Sequence, residues 1–426
     1  MSKILEKIVI KQICEFVNAH RLLPKLQSGF RKNHSTCTAL TNLFSDMIDN
    51  KDKGRCSTLV MLDYSKAFDS MDHEMLIAKM RYFGFSGEAT AWIRSYLKDR
   101  LQVTRLGSET SEPLAKRRGV PQGSCLGPIL YTLYTADFPT CVKHCTAHLY
   151  ADDSQLLLSY EPEFMREAVS QINSDLQNIL EWSVNNGLKL NSDKCTVLHT
   201  ASLDLVQALK SRGVSVTLDG ESLFVCDRVK TLGITLDKGL TFTDHVTNAS
   251  QRALGRLRGL YRFRSLLPET AKVQLVQSLI LSTFYYCFPA YGNSLSREDI
   301  CRIQKLQNSA VRFIFCLKRS DHVSAYRETV KLLPMETICR ILTCCMTHSV
   351  LISHEPEYLY ERLSFRDEVS QHRTRHGGRL HFPRVSLELG RKSFSYFGPH
   401  LYNGLPDCLK TLKPDSFKTD LKKLLM

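Results

Sequence analysis

Residues 146–158 read Thr-Ala-His-Leu-Tyr-Ala-Asp-Asp-Ser-Gln-Leu-Leu-Leu, so two adjacent carboxylates, Asp152 and Asp153, sit between two short apolar runs. That pattern predicts a β-hairpin with paired negative charges at its turn. Like charges side by side repel and add no stability to a turn. A divalent cation that needs oxygen ligands resolves the repulsion; plain solvation of an Asp-Asp turn is the simpler alternative. A third carboxylate favours the cation. Asp63 ends another apolar run, Thr58-Leu-Val-Met-Leu-Asp63. It lies far away in the chain, yet the two runs can meet as neighbouring strands of one sheet.

At 426 residues the chain is long enough for two or three domains with ample core. A net charge of +14 and a pI of about 9.1 favour an acidic partner, nucleic acid before a membrane surface; a generically basic protein is the bland reading. The 15 cysteines are scattered, none in a Cys-x-x-Cys, and the first residues carry no signal-peptide pattern, which points to a reducing intracellular compartment. Cys141, His144, Cys145 and His148 are the nearest approach to a zinc set, but their spacing matches no finger. Val273–Ser296 carries no charge, but Gln274, Gln277, Pro289 and Asn293 interrupt it. A buried amphipathic helix is expected there, and no membrane partner.

The coarse architecture is a mixed α/β core followed by helices. Helices are expected on both sides of a loop at 26–35. Asp72 can cap a helix over about 73–83, with another near 88–98. A hairpin is expected around Gly107-Ser108, an apolar helix after the turn-rich Gly119–Pro128, and a helix over about 163–185 stopped at Asn186-Gly187. Strands follow near 194–199, 214–218 and 229–236. Helical spacing covers 243–266, 268–288 and 297–317. A basic stretch at 366–384 and a short final helix complete the chain.

The segments Leu62-Asp-Tyr-Ser-Lys-Ala-Phe-Asp69, Gly119-Val-Pro-Gln-Gly-Ser-Cys-Leu-Gly-Pro128 and Leu149-Tyr-Ala-Asp-Asp153 resemble, in order, the palm motifs of a reverse transcriptase. Gln27-Ser-Gly-Phe-Arg31, Asn186-Gly-Leu-Lys-Leu-Asn191 with Lys194, and Leu232-Gly-Ile-Thr-Leu-Asp237 are similar to the polymerase of a non-LTR, jockey-like retrotransposon. The resemblance implies an α+β right-hand polymerase: partial fingers at 1–55, an antiparallel-sheet palm at 56–240, a helical thumb at 241–320 and a C-terminal basic region at 321–426. It implies RNA-directed DNA synthesis on an RNA template and DNA primer from deoxynucleoside triphosphates, with Mg²⁺ or Mn²⁺, in the nucleus or a cytoplasmic ribonucleoprotein. Oligomeric state is not legible.

By position, the resemblance assigns Asp63, Asp152 and Asp153 to the metal ions and Phe68 to the ring beneath the incoming sugar. Gln122 and Gly123 fall in the nucleotide pocket. Lys194 matches a lysine proposed to protonate the leaving pyrophosphate. Arg31 stands in the second fingers motif, where substrate contact is implied. Core packing for Phe68, a turn role for Gln122 and an exposed strand-start lysine at 194 are the plainer alternatives.

The grip on nucleic acid is expected from the helical part. Arg252, Arg256, Arg258, Arg262 and Arg264 occur within 14 residues without an acid, and Tyr261 and Phe263 interleave. Arg252 with Arg256, and Arg258 with Arg262, are one helical turn apart and form stripes able to track phosphates; a solvated basic face is the alternative. Arg302, Lys305 and Arg312 follow on the next helix. The family usually carries an Arg-Pro-Ile-type fingers segment and an endonuclease outside the region present. A truncated, catalytically silent nucleic-acid binder, or an interaction protein using the helical tail, therefore stays open as an alternative.

Overall fold

The computed structural model describes residues 2–201, 204, 207, 211, 213–369 and 377–425. Residues 370–376, inside the basic 366–384 stretch, lie outside the described residues. The chain divides into two compact units, 1–32 with 57–226 and 33–56 with 227–426. This grouping cuts across the four-part division drawn from the sequence, since 33–56 gathers with the C-terminal residues.

The first unit is built on a five-stranded sheet. From edge to edge its strands are Phe224–Val225, Thr196–His199, Cys56–Leu62, Asp153–Tyr160 and Thr146–Tyr150. Cys56–Leu62 is central and buried almost throughout, as a continuous apolar run with helices over the sheet must be. It pairs antiparallel with Thr196–His199, with Leu59 opposite Leu198. Thr146–Tyr150 and Asp153–Tyr160 form an antiparallel hairpin. The sheet is not antiparallel everywhere: Phe224–Val225 runs parallel to Thr196–His199.

Packed helices complete the unit. Met165–Asn185 buries Met165, Ala168, Val169, Ile172, Leu176 and Ile179, a three-and-four spacing that puts all six on one face. Asp72 caps His73–Tyr82 by accepting from the Glu74 and Met75 amides, both at 3.0 Å. The Cys141–His148 stretch is tied down by Asp175, which is fully buried and accepts from the amides of Lys143, His144 and Cys145 at 2.7–2.9 Å. Burial pushes the Cys141 thiol up to about 12, so this half-buried cysteine stays protonated.

The second unit is largely helical. The expected strand at 229–236 is a hairpin, Arg228–Thr231 with Ile234–Asp237. Its two-residue turn, Leu232 and Gly233, has positive φ at both positions (44° and 86°), the geometry that suits strand twist in tight hairpins. The expected helix at 268–288 is broken as well. Glu269–Leu275 passes into a π-helical stretch, Val276–Leu281, then Ser282–Tyr285. Cys287 turns left-handed (φ 52°) and a new helix starts at Phe288 with Pro289 in its first turn.

Sequence reading did not single out Met335–Ser353, a 19-residue helix. Among the described residues it is the one helix long and apolar enough to cross a membrane. Its inward face nonetheless holds Thr343, Thr347 and His348, all fully buried, and it packs on Phe394–Asn403 and Pro414–Leu424. The His348 ring stacks on Phe417 at 4.0 Å and hydrogen-bonds the Tyr402 hydroxyl and the Leu412 carbonyl. It is a core helix whose polar groups are satisfied within the unit.

Arg362 explains why 33–56 joins this unit. Its guanidinium donates to Asn42 Oδ1 (2.8 Å), Asp49 Oδ2 (3.0 Å) and Ser395 Oγ (3.1 Å) and pairs with Asp46. One side chain thus ties the Thr36–Asp52 helix to a segment far along the chain. Arg362→Met should remove the cation shared by two half-buried aspartates, Asp46 and Asp49, and cost about 2–3 kcal/mol, somewhat below the ~3–5 of a fully buried pair. Denaturant melts of the two proteins check this, and equal midpoints would make the cluster energetically idle.

Candidate active site

The hairpin turn consists of Ala151 and Asp152, with Tyr150 paired to Asp153. Ala151 has a left-handed backbone (φ 58°), a conformation that costs a non-glycine residue about 1 kcal/mol or more. It persists because a neighbouring segment clamps the turn. Gln27 is 1% exposed. Its Oε1 accepts from the Gly29 amide at 2.9 Å and the Ala151 amide at 3.4 Å. The Ser28 amide donates to the Leu149 carbonyl (2.9 Å), and the Leu149 amide donates to the Leu26 carbonyl (3.0 Å). Gln27-Ser-Gly29 is thus a short parallel splint along the hairpin's outer edge.

Asp63 leaves the end of the central strand, hydrogen-bonded beside the strand that begins at Asp153. Asp152 and Asp63 both come within electrostatic reach of Asp153. Asp153 is open to solvent on one side, but its carboxyl is held above the usual aspartate range by burial first, then by the charges of Asp152 and Asp63. Lys194 Nζ stands 3.6 Å from Asp63 Oδ2, an exposed pair of little energetic worth that partly offsets the negative charge.

These oxygens suit a hard divalent cation. Among the described residues no three His, Cys, Asp or Glu side chains form a ready-made metal cage. Mg²⁺ rarely uses one: it keeps several waters and takes one or two carboxylates plus substrate phosphates. The donor chemistry and the only partly offset negative charge fit such an ion.

A second segment is fastened beside the carboxylates. Phe68 is half-buried in the short Ala67–Ser70 helix and stacks on the buried Tyr131 ring at 4.4 Å and 28°. Gly119 lies against this helix. A Cβ there would sit 2.6 Å from Asp69 Cα and 2.7 Å from the Phe68 carbonyl oxygen, and φ is +74°, so only glycine fits. The Gly119 amide donates to the Met71 carbonyl, and the Val120 amide to that of Phe68. Gln122 is exposed, and its Nε2 donates to Asp69 Oδ2 at 3.0 Å. Gly123 is exposed with φ +78°.

The same loop is capped from behind by Glu6, whose carboxylate accepts from the Cys125 and Leu126 amides at 2.6 and 3.2 Å. Burial works against the charged form of Glu6, but hydrogen bonds from the Leu126 amide, Ser2 and the Cys125 amide outweigh it and hold the carboxyl below its ordinary value. Arg31 lies at the far end of the Gln27 splint and donates Nη1 to the Pro24 and Gln27 carbonyls.

The basic residues of the second unit divide into two groups. Arg256 donates to the Leu279 carbonyl and the Thr283 hydroxyl, and Arg264 donates to the Arg312 and Phe313 carbonyls. Arg302 donates to the Thr247 hydroxyl and lies 3.7 Å from Asp299. Arg252, Arg258, Arg262 and Lys305 are exposed, as are Arg256 and Arg302, so the two groups differ in their hydrogen bonds and not in exposure.

Sequence reading used Gln27 and Gly29 only as flanking resemblance and did not single out Glu6, Asp69 or Tyr131. The visible signal was the dipeptide Ser28-Gly29 after a glutamine, whose purpose needs the partner strand in view. Gly29→Ala tests the splint, because its Cβ would lie 2.5 Å from the Ala151 nitrogen. The hairpin tip must move, at a cost of about 1–3 kcal/mol, lowering the melting temperature by several degrees. Gly87→Ala, where nothing lies within 4 Å, is the control and should leave it unchanged. Equal melts for the two variants would mean that the splint does not hold the turn.

Residues 1–236 match the reverse transcriptase (RNA-dependent DNA polymerase) family. Over 328 residues the chain is 31% identical to the probable RNA-directed DNA polymerase from transposon BS of Drosophila melanogaster, covering 74% of this chain and 35% of that protein. It is 28% identical over 326 residues to the RNA-directed DNA polymerase from mobile element jockey of the same organism, with 74% and 34% covered. The chain spans about a third of the length of these curated relatives. A telomerase structure from Candida albicans overlays 78% of this chain and 56% of that one at 13% identity, with a TM-score of 0.40. The family match runs from the first helix into the second strand of the Arg228–Asp237 hairpin and takes in the splint, the three aspartates and the loop sewn to Phe68: the chain belongs to the reverse transcriptase family.

Proposed function

We propose that this chain carries out RNA-directed DNA synthesis, extending a DNA primer along an RNA template with deoxynucleoside triphosphates. The observation that carries the reading is that Asp63 and Asp152 both stand close enough to Asp153 to act on its charge, at a strained, externally clamped turn. Such strain and repulsion gain nothing for the fold and suit a site built for a cation.

In this reading Asp63, Asp152 and Asp153 hold Mg²⁺ or Mn²⁺, which when bound acidifies the primer hydroxyl and neutralises the leaving pyrophosphate. Phe68, braced by Tyr131, presents a ring edge that crowds a ribose 2′-hydroxyl and so favours deoxynucleotides. Gln122, oriented by Asp69, and the neighbouring Gly123 face the nucleotide. Lys194, beside Asp63, is placed to deliver a proton to pyrophosphate. Arg31 braces the splint and acts on substrate only through it. The exposed Arg252, Arg258, Arg262 and Lys305 track the template–primer backbone, while Arg256 and Arg302 set the helices that carry them.

Asp152→Asn should reduce primer extension by at least about a hundredfold, near 3 kcal/mol of barrier, without lowering the melting temperature, since a repulsion is relieved. Mg²⁺ should raise the melting temperature of the parent more than that of the variant. A variant that extends primers as fast as the parent would remove Asp152 from the machinery. A parent that binds template–primer without extending it would favour a silent binder.

Replacing Arg252, Arg258 and Arg262 with Ala should weaken binding of a labelled hybrid duplex and lower the log–log salt slope by about 0.7–0.9 per lost phosphate contact. Fluorescence anisotropy across a salt series measures it. An unchanged slope would reduce the stripe to a solvated face.

A further inference from the structure

Lys272, in the second unit, is a cation taken out of water without an acid beside it. It lies in the Glu269–Leu275 helix and is 6% exposed. Among the described residues no aspartate or glutamate pairs with it. A buried ammonium in that position is costly. Its Nζ donates instead to the sulfur of Cys316 at 3.4 Å. A thiol is a weak acceptor, so this contact by itself gives the buried charge little in return.

Cys316 is held firmly in front of that ammonium. It follows the Arg297–Ile314 helix, where the Leu317 amide turns back to the Arg312 carbonyl at 3.1 Å. Cys316 has a left-handed backbone (φ 55°), at the place after a helix that glycine ordinarily fills. Arg264 fastens the same turn, donating Nη2 to the Arg312 and Leu317 carbonyls. A cysteine thus stands where backbone preference argues for a different residue. Three cysteines are exposed, Cys301, Cys316 and Cys408. Among the described residues Cys316 is the one of these whose sulfur accepts from an ammonium. Solvent reaches it from outside, and Lys272 stands beneath.

We propose that Cys316 is a modification site for small peroxides, with Lys272 as the proton donor. The sulfur attacks one oxygen of hydrogen peroxide. An S–O bond forms, the O–O bond breaks, and its electron pair leaves on the other oxygen. Lys272 protonates that oxygen, which departs as water, and recovers the proton of the thiol. Sulfur is oxidised by two electrons, the peroxide is reduced by two, and the product is a sulfenic acid. The added oxygen is a better acceptor than the thiol and supplies the partner that the buried ammonium lacks. Nothing in this step depends on the polymerase reading.

The test uses the full reduced chain, hydrogen peroxide, and dimedone to trap sulfenic acid. Labelling of each cysteine is followed in time by peptide mass spectrometry. Cys316 should label at least about tenfold faster than Cys301 and Cys408, a modest share of the ~10²–10⁴ that a well-placed acid contributes. Lys272→Met should bring Cys316 down to the rate of the other two and leave theirs unchanged. The ranking within the parent needs no variant, so it decides the matter even where Lys272→Met fails to fold. Equal rates at the three exposed cysteines of the parent overturn the proposal. So does an advantage for Cys316 that survives Lys272→Met in a folded protein, which would make Lys272 a passive neighbour.

Discussion

Three carboxylates cannot be brought together unless something else fixes them, because each is more stable apart from the others. In the first unit the sheet does the fixing. Asp63 and Asp153 stand at the ends of adjacent strands, and Asp152 sits in the turn between two of them. The strands are anchored by apolar burial along their length, which is large compared with the repulsion at their tips. What burial cannot set is the turn itself. Ala151 holds a left-handed backbone, and the buried Gln27 side chain and the Gly29 backbone close around it. The carboxylates therefore depend on a splint drawn from a much earlier part of the chain.

The loop from Gly119 to Gly123 follows the same logic. Its position is fixed by backbone contact with Phe68 and Asp69, which admits no side chain at Gly119. Glu6 supplies the missing acceptor for the amides that open the next helix. Each functional side chain is exposed or half-exposed, while the groups that aim it (Gln27, Tyr131, Glu6) are buried. Precision at the surface is thus obtained from packing beneath it.

In the second unit one basic segment is used for two purposes. Arg256 and Arg264 satisfy backbone carbonyls left open where helices end or are interrupted by the π-helical stretch, whereas Arg252, Arg258 and Arg262 remain outward. A helical face holds only some of its cations where neighbouring helices terminate. Spacing along one helix cannot show which arginines a second helix will claim.

Much of the first unit is legible in residue order alone. The Asp-Asp hairpin, the Asp72 cap, the helix after Pro128 and the Met165–Asn185 helix follow from local chemistry: alternation, capping side chains, glycine stops and one-face apolar spacing. The family itself is legible from motif order. The broken 268–288 helix, the hairpin at 228–237 and the Met335–Ser353 core helix are not, because left-handed residues and buried polar faces are decided by what packs against them. The sequence by itself determined which residue types stand at the strand ends and turns, since those rest on nearest neighbours along the chain. Only the tertiary structure decided that Gln27 clamps Ala151, that Gly119 must be bare, and that Arg362 binds a helix from the other end of the chain. These contacts join positions with no local relation, and only the folded chain brings them within hydrogen-bond reach.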